Sequence, residues 1–517
     1  RVFDLTSNEA IPFANVVVYG TTQGRATDEE GRFRLENVPP GLVRLEVSSI
    51  GYQTLVTVGF LLGTAGERTE NIGLEPASTT LKQVVVKANP YRKTVETPVS
   101  IQRIGIAEME KNPGGNRDIS KVVQSMPGVL SSPAFRNDFV VRGGGPAENR
   151  FYLDGVELPI LNHFATQGAS GGVVSIVNID FVKEVNFFSG AFPAAYGNMM
   201  SSMLEFRQIE GNPDRVKTRV TFGATDYGLS LDGPLAPKTT FIVSARRSYL
   251  KMLFGIIGLP FLPVYNDMQF KTVTRLNARN EWTLLGIGGY DINRLNTDLK
   301  NPDDHQKYLL DWLPESRQWS YTLGTTFKHY GNNWYHFFVL SRSGLYNKVE
   351  KYTGNDRHNP KTIDYRSGES ENKFRFEHHR YAANGFKLQV GAGIEYAHYD
   401  NTTARRLFAA GEAIDQYYSR ALNMWKWAVF GQVSRSFFSE RLALSLGFRA
   451  DGCNYTGKTA ALYRQISPRF SFSYSFDECW SLNGNIGRYY QLPAYTTLGF
   501  ADAGGVLVNT RNKTGSI

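Results

Sequence analysis

The feature that most constrains this chain is an alternation of large apolar side chains with small or polar ones, which begins near residue 215. It is clearest from Phe386 to Tyr396, from Leu442 to Phe448 and from Phe470 to Phe476. Because successive side chains of a strand point to opposite faces, a period of two predicts strands with one apolar face and one small, polar face. A soluble sandwich would carry charges on its outer face, whereas a lipid-facing barrel around a wet or plugged lumen has this pattern.

A helical membrane crossing is excluded by the hydropathy of the chain. The longest apolar run, Leu253 to Val264, contains two prolines and falls short of the roughly 20 apolar residues that a spanning helix needs. An aromatic content of 13% and 50 glycines also favour strands and turns. Any membrane crossing must therefore be made by strands.

We count about thirteen strands between Arg215 and Gly487, at roughly 21 residues per strand. Short turns such as NARNE and YGNN alternate with long polar connections, Asn293 to Arg317 and Asn401 to Asn423. This asymmetry is typical of tight periplasmic turns and long extracellular loops. Plugged transporter barrels have about 22 strands, so we expect about nine more strands and a natural protein that continues past Ile517.

Residues 1–77 show short alternating runs, about ten residues apart, which predict an antiparallel β-sandwich. Ala26-Thr27-Asp28, Gly31, Phe33 and Gly51-Tyr52 resemble the signature of carboxypeptidase regulatory-like domains. No HExxH or HxxE pair occurs among the eight histidines, so a metallopeptidase would have no zinc ligands. We expect no metal and no other cofactor. Since the chain opens at Arg1 within a strand-like run, we expect its start to be processed or missing.

Residues 91–208 have a mixed pattern. Ile119, Val122, Val123 and Met126 lie at helical spacing and are followed by a Pro-Gly pair, which predicts a short helix. Alternating strands flank glycine turns in the rest of the segment. The segment is therefore predicted to be a compact α+β unit.

Several motifs of this unit occur in the order typical of one family. They are Arg142-Gly143-Gly144, Tyr152-Leu153-Asp154-Gly155, and Phe192-Pro193-Ala194 followed by Tyr196-Gly197. Together they resemble the plug of TonB-dependent outer-membrane receptors. The segment NRFYLDGVELPILNHF is more similar to general receptors of Bacteroidetes type than to SusC-like glycan importers. The resemblance implies plug-motif roles for Arg142, Gly143, Gly144, Tyr152, Asp154, Gly155, Tyr196 and Gly197.

A polar linker, residues 78–90, is interrupted by three consecutive valines. A β-branched run in such a segment suits strand addition to the sheet edge of another protein. The alternative is an ordinary last strand of the first domain. The position just before the plug resembles the TonB box, which implies that the inner-membrane TonB complex binds Leu81, Val84, Val85, Val86 and Ala88.

Two plug loops combine aromatic side chains with polar donors. Outward-facing loops of this kind are where an extracellular ligand would be bound. The alternative role for these residues is packing of the plug against the barrel. The predicted ligand contacts are Phe135, Arg136, Asn137, Asn162, His163 and Phe164.

Three motifs resemble enzyme or metal sites but lack the structural context that such sites need. Gly452 to Thr459, GCNYTGKT, matches a phosphate-binding loop, but no helix of sufficient length follows. Ser170 lies in a G-x-S-x-G sequence that leads into a strand, and His378 and His379 point to opposite faces of a strand. We therefore expect no enzyme, with a lipase-like outer-membrane barrel as the enzymatic alternative. The net charge of +9 is dispersed along the chain, which argues against nucleic acid as a partner.

The predicted fold class is mostly β, in four parts: a carboxypeptidase regulatory-like β-sandwich (1–77), a linker (78–90), an α+β plug (91–208), and the first strands of a transmembrane antiparallel β-barrel (209–517). The resemblance implies TonB-dependent active import of a scarce nutrient across the bacterial outer membrane, with the N-terminal domain in the periplasm. The nutrient classes left open are siderophore, vitamin, oligosaccharide and peptide. The implied partners are the TonB complex, outer-membrane lipid and lipopolysaccharide, and the extracellular ligand. A SusC-like importer with a surface lipoprotein, and a passive porin or adhesin, stay open as alternatives.

Overall fold

The computed structural model describes residues 1–64, 66–77, 97, 101–112, 115, 117–131, 136–168, 171–382, 384–409, 412–438, 441–477, 480–500, 507 and 514–516. Within these residues, no helix combines the length and the apolarity needed to cross a bilayer. The described strands group into three regions along the chain, an N-terminal domain, a central unit and a long sheet.

The N-terminal domain contains the strands β1 (Val2–Asp4), β2 (Asn15–Val18), β3 (Gly24–Ala26), β4 (Gly41–Val43), β5 (Leu45–Ser48), β6 (Leu55–Val56), β7 (Phe60–Leu62) and β8 (Ile72–Leu74). Four of them form an antiparallel sheet in the order β3-β2-β5-β6. The predicted strand-rich fold is confirmed, with one difference. The strands β1 and β8 pair in parallel, because the first and last strands of the domain are not joined by a tight turn that would force them to be antiparallel.

The motif residue Thr27 shows why this domain has its signature. Its Oγ1 accepts a hydrogen bond from Ala14 N at 2.8 Å and donates one to Ile11 O at 2.8 Å. Thr27 is 2% exposed, so its hydroxyl satisfies two buried backbone groups that would otherwise lack partners. A valine of the same shape at this position would leave both groups unpaired.

The central unit contains β9 (Ile101–Gly105), α1 (Ile106–Lys111), α2 (Ile119–Gln124), β10 (Val129–Ser131), β11 (Phe139–Val141), β12 (Asn149–Leu153), β13 (Val156–Leu158), β14 (Val182–Phe188) and β15 (Ser202–Gln208). Its five-stranded sheet has the order β13-β12-β15-β14-β9. The predicted helix is α2, which Asp118 caps and which buries Ile119, Val122 and Val123. The unit is the predicted α+β plug.

The long sheet contains β16 (Lys217–Phe222), β17 (Asp226–Ala236), β18 (Thr239–Ser248), α3 (Leu250–Ile257), β19 (Phe261–Asn277), β20 (Asn280–Leu295), α4 (Asp304–Trp312), β21 (Glu315–Tyr330), β22 (Trp334–Tyr352), β23 (Lys361–Tyr381), β24 (Lys387–Ala409), β25 (Glu412–Phe437), β26 (Leu442–Cys453), α5 (Gly457–Ala460), β27 (Ile466–Ser475), β28 (Ser481–Tyr490), α6 (Tyr495–Leu498) and β29 (Thr514–Ser516). Each strand pairs with its neighbours in sequence order, and every pairing is antiparallel. The strands β16 to β28 are the thirteen that we predicted between residues 215 and 487. They form the wall of a partial barrel around the plug.

The two faces of the wall differ as the alternation predicts. One cross-strand row on the outer face consists of Leu446, Phe470 and Ile486, which are 58%, 40% and 69% exposed. The inner face has small polar side chains, among them Ser434 and Ser445, which are buried and bonded to each other at 2.8 Å. The predicted alternation of an apolar outer face with a small, polar inner face is therefore confirmed.

The two ends of the wall also differ. One end has tight turns, such as residues 278–279 and 331–333, and the other has long connections, such as 296–314 and 454–465. We call them the turn end and the loop end. The predicted connection Asn401 to Asn423 is wrong in one respect, because most of it is strand: β24 and β25 stay paired up to Ala409 and Glu412. A hairpin satisfies its own backbone groups, so it can continue beyond the level of the bilayer without apolar side chains.

Candidate functional site

The plug lies against the inner face of the wall, and polar groups make most of the contacts that join them. The contacts fall into a histidine anchor, an arginine anchor, a charged cluster and a set of contacts with the N-terminal domain at the turn end. The first three lie between the plug and the wall itself.

The histidine anchor joins a plug loop to the wall strands β19 and β20. His163 Nδ1 lies 2.7 Å from Asp291 Oδ1, and His163 Nε2 lies 3.0 Å from Asp267 Oδ2. The side chains of His163 and Asp267 are 0% exposed and that of Asp291 is 4% exposed. The backbone N–H of Phe164 donates to the second oxygen of Asp291 at 2.6 Å. One loop of the plug is thus fixed by two buried carboxylates of the wall.

The charges of this anchor are balanced. Arg246 Nε donates to both oxygens of Asp267, at 3.0 and 3.1 Å. Burial opposes protonation of His163, but the carboxylates of Asp291 and Asp267 outweigh it and raise the pKa of His163 to about 9. At neutral pH the ring is therefore an imidazolium, and both of its N–H groups donate. Two positive and two negative groups share one buried site, and the ring stacks on Tyr265 with centroids 4.4 Å apart.

The arginine anchor lies on the opposite side of the plug, at the motif that begins with Phe192. Arg469 Nη1 donates to the carbonyl oxygens of Phe192 and Tyr196 at 2.9 and 3.0 Å. Arg449 Nη1 donates to the carbonyl of Ala195 at 2.9 Å. Both arginines are 8% exposed. Two cations of the wall thus satisfy a plug segment whose carbonyls have no strand partner.

Two motif glycines are explained by close approach of the wall. A Cβ on Gly197 would lie 2.2 Å from Arg449 Nε, and a Cβ on Gly155 would lie 2.9 Å from the ring of Phe337. Gly155 also has a φ of +88°, which disfavours any residue with a side chain. Its carbonyl accepts a hydrogen bond from Arg375 Nη2 at 2.9 Å. The glycines allow the plug and the wall to touch at these points.

The other plug-motif residues shape the plug itself. Asp154 accepts a hydrogen bond from Gln208 N at 3.0 Å and pairs with Lys271 of the wall at 2.9 Å. Tyr152 packs on Tyr196 with ring centroids 4.6 Å apart. The motif Arg142-Gly143-Gly144 forms the turn after β11, where Arg142 N donates to Gly128 O and Gly144 N to Val141 O, both at 2.9 Å. These positions are compatible with the predicted motif roles, which stay predictions.

The charged cluster lies between strand β13 of the plug and the wall strands β23 to β25. Lys373 pairs with Glu157 of the plug at 2.8 Å and with Glu371 at 2.7 Å. Lys426 pairs with Glu371 at 3.1 Å and with Glu395 at 2.5 Å. Two lysines thus face three carboxylates, and Glu157 joins three consecutive wall strands to a plug strand that is far from them in sequence.

The segment that follows β28 folds over this cluster from the loop end. Tyr495 donates to Glu371, and Lys426 Nζ donates to Tyr495 Oη at 2.9 Å. Leu492 N donates to Asn198 of the plug at 2.8 Å. Two cavities of about 90 and 100 Å³ flank the cluster beneath this segment.

The N-terminal domain contacts the plug and the wall at the turn end. Lys183 of the plug pairs with Glu70 at 3.0 Å, and Lys387 of the wall pairs with Glu75 at 2.8 Å. Burial opposes ionisation of Glu70, but Lys183 and Arg68 outweigh it and lower its pKa below the usual range. A chamber of about 610 Å³ lies between the three regions. The turn end is therefore covered by the domain, which is held there by ion pairs.

The predicted ligand contacts lie in different surroundings. Asn137 and Asn162 are buried and bond to Asp118 and Ser120 inside the plug, at 3.0 and 2.7 Å. His163 and Phe164 belong to the histidine anchor. Arg136 is exposed and pairs with Asp138 at 2.6 Å. His163 thus contacts the wall. The predicted role of these residues in ligand binding stays a prediction.

Several predicted residues lie outside the described part of the chain. They are Phe135, Ser170 and the TonB-box residues Leu81, Val84, Val85, Val86 and Ala88. Among the residues that the structure does describe, no group of three His, Cys, Asp or Glu side chains is placed to hold a metal ion. Gly457 to Ala460 form a single helical turn. A phosphate-binding loop needs a longer helix after it.

Sequence reasoning missed the wall residues that hold the plug. Arg449, Arg469, Lys373 and Asp267 lie at inward positions of their strands, where most neighbours are small and polar. The sequence does contain a signal for them, namely a charged residue at a position whose side chain points inward. Such a charge needs a partner in the lumen. The signal cannot name that partner.

Three family models match the chain. "CarboxypepD_reg-like domain" matches residues 1–86, "TonB-dependent Receptor Plug Domain" matches 93–202, and "TonB dependent receptor-like, beta-barrel" matches 260–514. No curated protein matches the chain in sequence.

Solved structures share the fold. A mutant of the ferric enterobactin receptor (PfeA) from Pseudomonas aeruginosa has a TM-score of 0.58 and 16% identity, over 77% of this chain and 63% of that one. The siderophore receptor PirA from Acinetobacter baumannii has a TM-score of 0.56 and 15% identity, over 76% and 61%. The outer membrane transporter YddB from Escherichia coli has a TM-score of 0.55 and 14% identity, over 76% and 61%. The chain thus spans less than two thirds of each of these structures.

Proposed function

Because the chain belongs to the TonB-dependent receptors, which are outer-membrane proteins, we propose that it imports a scarce nutrient actively through its barrel. Energy would come from the inner-membrane TonB complex, which would pull on the linker between the N-terminal domain and the plug. In this proposal residues 1–77 form the periplasmic domain, 78–90 the TonB-binding linker, 91–208 the plug and 209–517 the barrel wall.

The observation that carries the proposal is the histidine anchor. A passive pore needs an open path, whereas here the plug is fixed by buried ion pairs with two wall strands. Separating a buried charge from its partners costs about 3–5 kcal/mol, so thermal motion alone opens such a contact rarely. Movement of the plug therefore needs work, which a partner that pulls on the linker supplies.

The cargo that we propose to test first is a ferric siderophore. Two of the structures that share the fold are named as a ferric enterobactin receptor and a siderophore receptor. A plug loop with aromatic and polar groups, such as the one containing Arg136, suits a ligand with a large polar surface. Vitamins, oligosaccharides and peptides are the other classes to compare.

The decisive experiment separates ligand binding from uptake. Strand addition depends on main-chain N–H donors, which proline lacks. We expect Val85→Pro to abolish uptake of radiolabelled ferric enterobactin into cells while binding at the cell surface stays unchanged. The matched variant Val85→Thr keeps the N–H group and the β-branched shape, so uptake should persist. Equal uptake by both variants and by the unaltered chain would favour a passive porin.

A further inference from the structure

Helix α3 is an apolar helix on the outer face of the wall. Its neighbours on β19, Leu262 and Val264, point outward, because the residues that alternate with them, Pro263 and Tyr265, point inward and are buried. Phe254 of the helix packs edge-on against Phe261 with ring centroids 5.5 Å apart. An open groove of about 500 Å³ separates the helix from this part of the wall.

The exposed side chains of the helix are apolar as well. Met252, Ile256 and Ile257 are 58%, 77% and 69% exposed. Apolar area in contact with water costs roughly 25 cal/mol per Å², and a contiguous patch of this kind marks an interaction surface. The patch continues the lipid-facing wall, whose outward residues just below it include Met268 and Phe270.

The height of the helix in the membrane follows from a cross-strand row. Arg247, Asn266, Tyr290, Trp319 and Tyr346 are paired directly across five neighbouring strands. Trp319 stacks on Tyr346 with ring centroids 4.6 Å apart. Such a belt of Tyr and Trp marks the boundary between acyl chains and headgroups. Helix α3 begins three residues after Arg247 and therefore lies at headgroup level on the loop end.

Three cations surround the groove at that level. Arg247 and Lys251 line it, and Arg294 is the direct cross-strand neighbour of Leu262. All three are exposed. Within the described part of the chain, none of the three forms an ion pair with a carboxylate, and Arg247 bonds only to the amide oxygen of Asn266, at 3.0 Å.

We propose that α3 and these cations bind the phosphorylated glycolipid of the outer leaflet, lipopolysaccharide. One acyl chain lies in the groove against Met252, Ile256 and Leu262. The lipid A phosphates lie on Arg247, Lys251 and Arg294, since guanidinium and ammonium groups are the side chains that bind phosphate. This surface binds a structural lipid on the outside of the barrel, so it is separate from the import path and does not depend on it.

The test is lipid binding by the full chain in detergent, followed by native mass spectrometry with added lipid A. We expect the triple variant Arg247→Ala, Lys251→Ala, Arg294→Ala to bind diphosphorylated lipid A at least tenfold more weakly than the unaltered chain. The matched control, Arg380→Ala, Arg405→Ala, Arg464→Ala, removes the same charge from exposed positions elsewhere and should bind as the unaltered chain does. Met252→Ser with Ile256→Ser should also weaken binding, because it removes the apolar side of the site.

Three outcomes would overturn the proposal. Equal affinity of the unaltered chain for dephosphorylated and diphosphorylated lipid A would show that the cations are not used. Unchanged lipid A binding by the cation variant would do the same. A surface protein that displaces lipid A, and whose capture depends on Met252 and Ile256, would show that the occupant of α3 is a protein instead. Correct folding of each variant is checked by its thermal transition.

Discussion

The histidine anchor and one ion pair of the N-terminal domain, Arg215 with Glu67, use the same chemistry in opposite surroundings. The carboxylates that hold His163 are 0% and 4% exposed, whereas the side chains of Arg215 and Glu67, paired at 2.9 Å, are 65% and 50% exposed. Water screens the second pair and leaves it with little net energy. The first pair has no water to replace a lost partner, so breaking it is costly.

The comparison indicates an order in which the contacts would open during the proposed import. The exposed pair of Arg215 and Glu67 can open and close without large cost, whereas the pair of Lys183 with the buried Glu70 is costlier to break. The histidine anchor, by contrast, holds the plug loop as a unit until work is done on it. A plug whose contacts open at different free-energy costs can be moved along a defined path.

The largest effect is expected for Asp267→Asn. The change keeps the shape of the side chain but leaves His163 and Arg246 with one carboxylate fewer in a buried site. We expect the free energy of local opening of the plug loop to fall by about 3–5 kcal/mol, measured by amide hydrogen exchange over residues 160–168. Asp298→Asn, at an exposed loop position, is the control. If residues 160–168 are equally protected from exchange in both variants, the buried carboxylate of Asp267 does not stabilise the plug loop.

The next effect is a pH dependence of the same opening. The pKa of His163 is raised to about 9 from its ordinary value near 6.5. The stabilisation is therefore fully present below about pH 6.5 and is lost as pH rises through about 9, by an amount near 3 kcal/mol at about 1.4 kcal/mol per pKa unit. Exchange rates of the unaltered chain from pH 6 to pH 10, corrected for intrinsic exchange, should show this loss. The variant His163→Gln should lack it, and an identical pH profile for that variant would contradict the assignment.

The smallest effect is expected for Arg215→Ala, which removes the exposed pair with Glu67. Exposed ion pairs contribute about 0–1 kcal/mol and are screened by salt. We expect the opening free energy of β8, measured by exchange at residues 72–74, to change by less than about 1 kcal/mol at low salt and by nothing measurable at high salt. Arg25→Ala, an exposed position of the same domain, is the reference. An effect as large as that of Asp267→Asn would remove the contrast between the two regions.

Much of the fold could be predicted from the sequence because the signals are local. The alternation from Phe470 to Phe476 assigns each side chain to lipid or lumen, and the spacing of Ile119, Val122 and Val123 predicts helix α2, which the structure contains. The number of wall strands follows in the same way, since each tight turn ends one strand and starts the next. The length of the hairpin of β24 and β25 could not be predicted in this way. A polar strand above the bilayer lacks the alternation of apolar and polar residues that marks a strand in the sequence.

The amino-acid sequence by itself determined which side chains face inward, and it therefore determined that Asp267, Lys373 and Arg449 would need partners in the lumen. Only the tertiary structure decided which partners they have. Lys373 meets Glu157 and Arg449 meets Ala195 because strand order around the wall and the seating of the plug bring these residues together. The physical reason is that side-chain direction is set by the backbone period of one strand, whereas a contact between distant segments depends on every register between them.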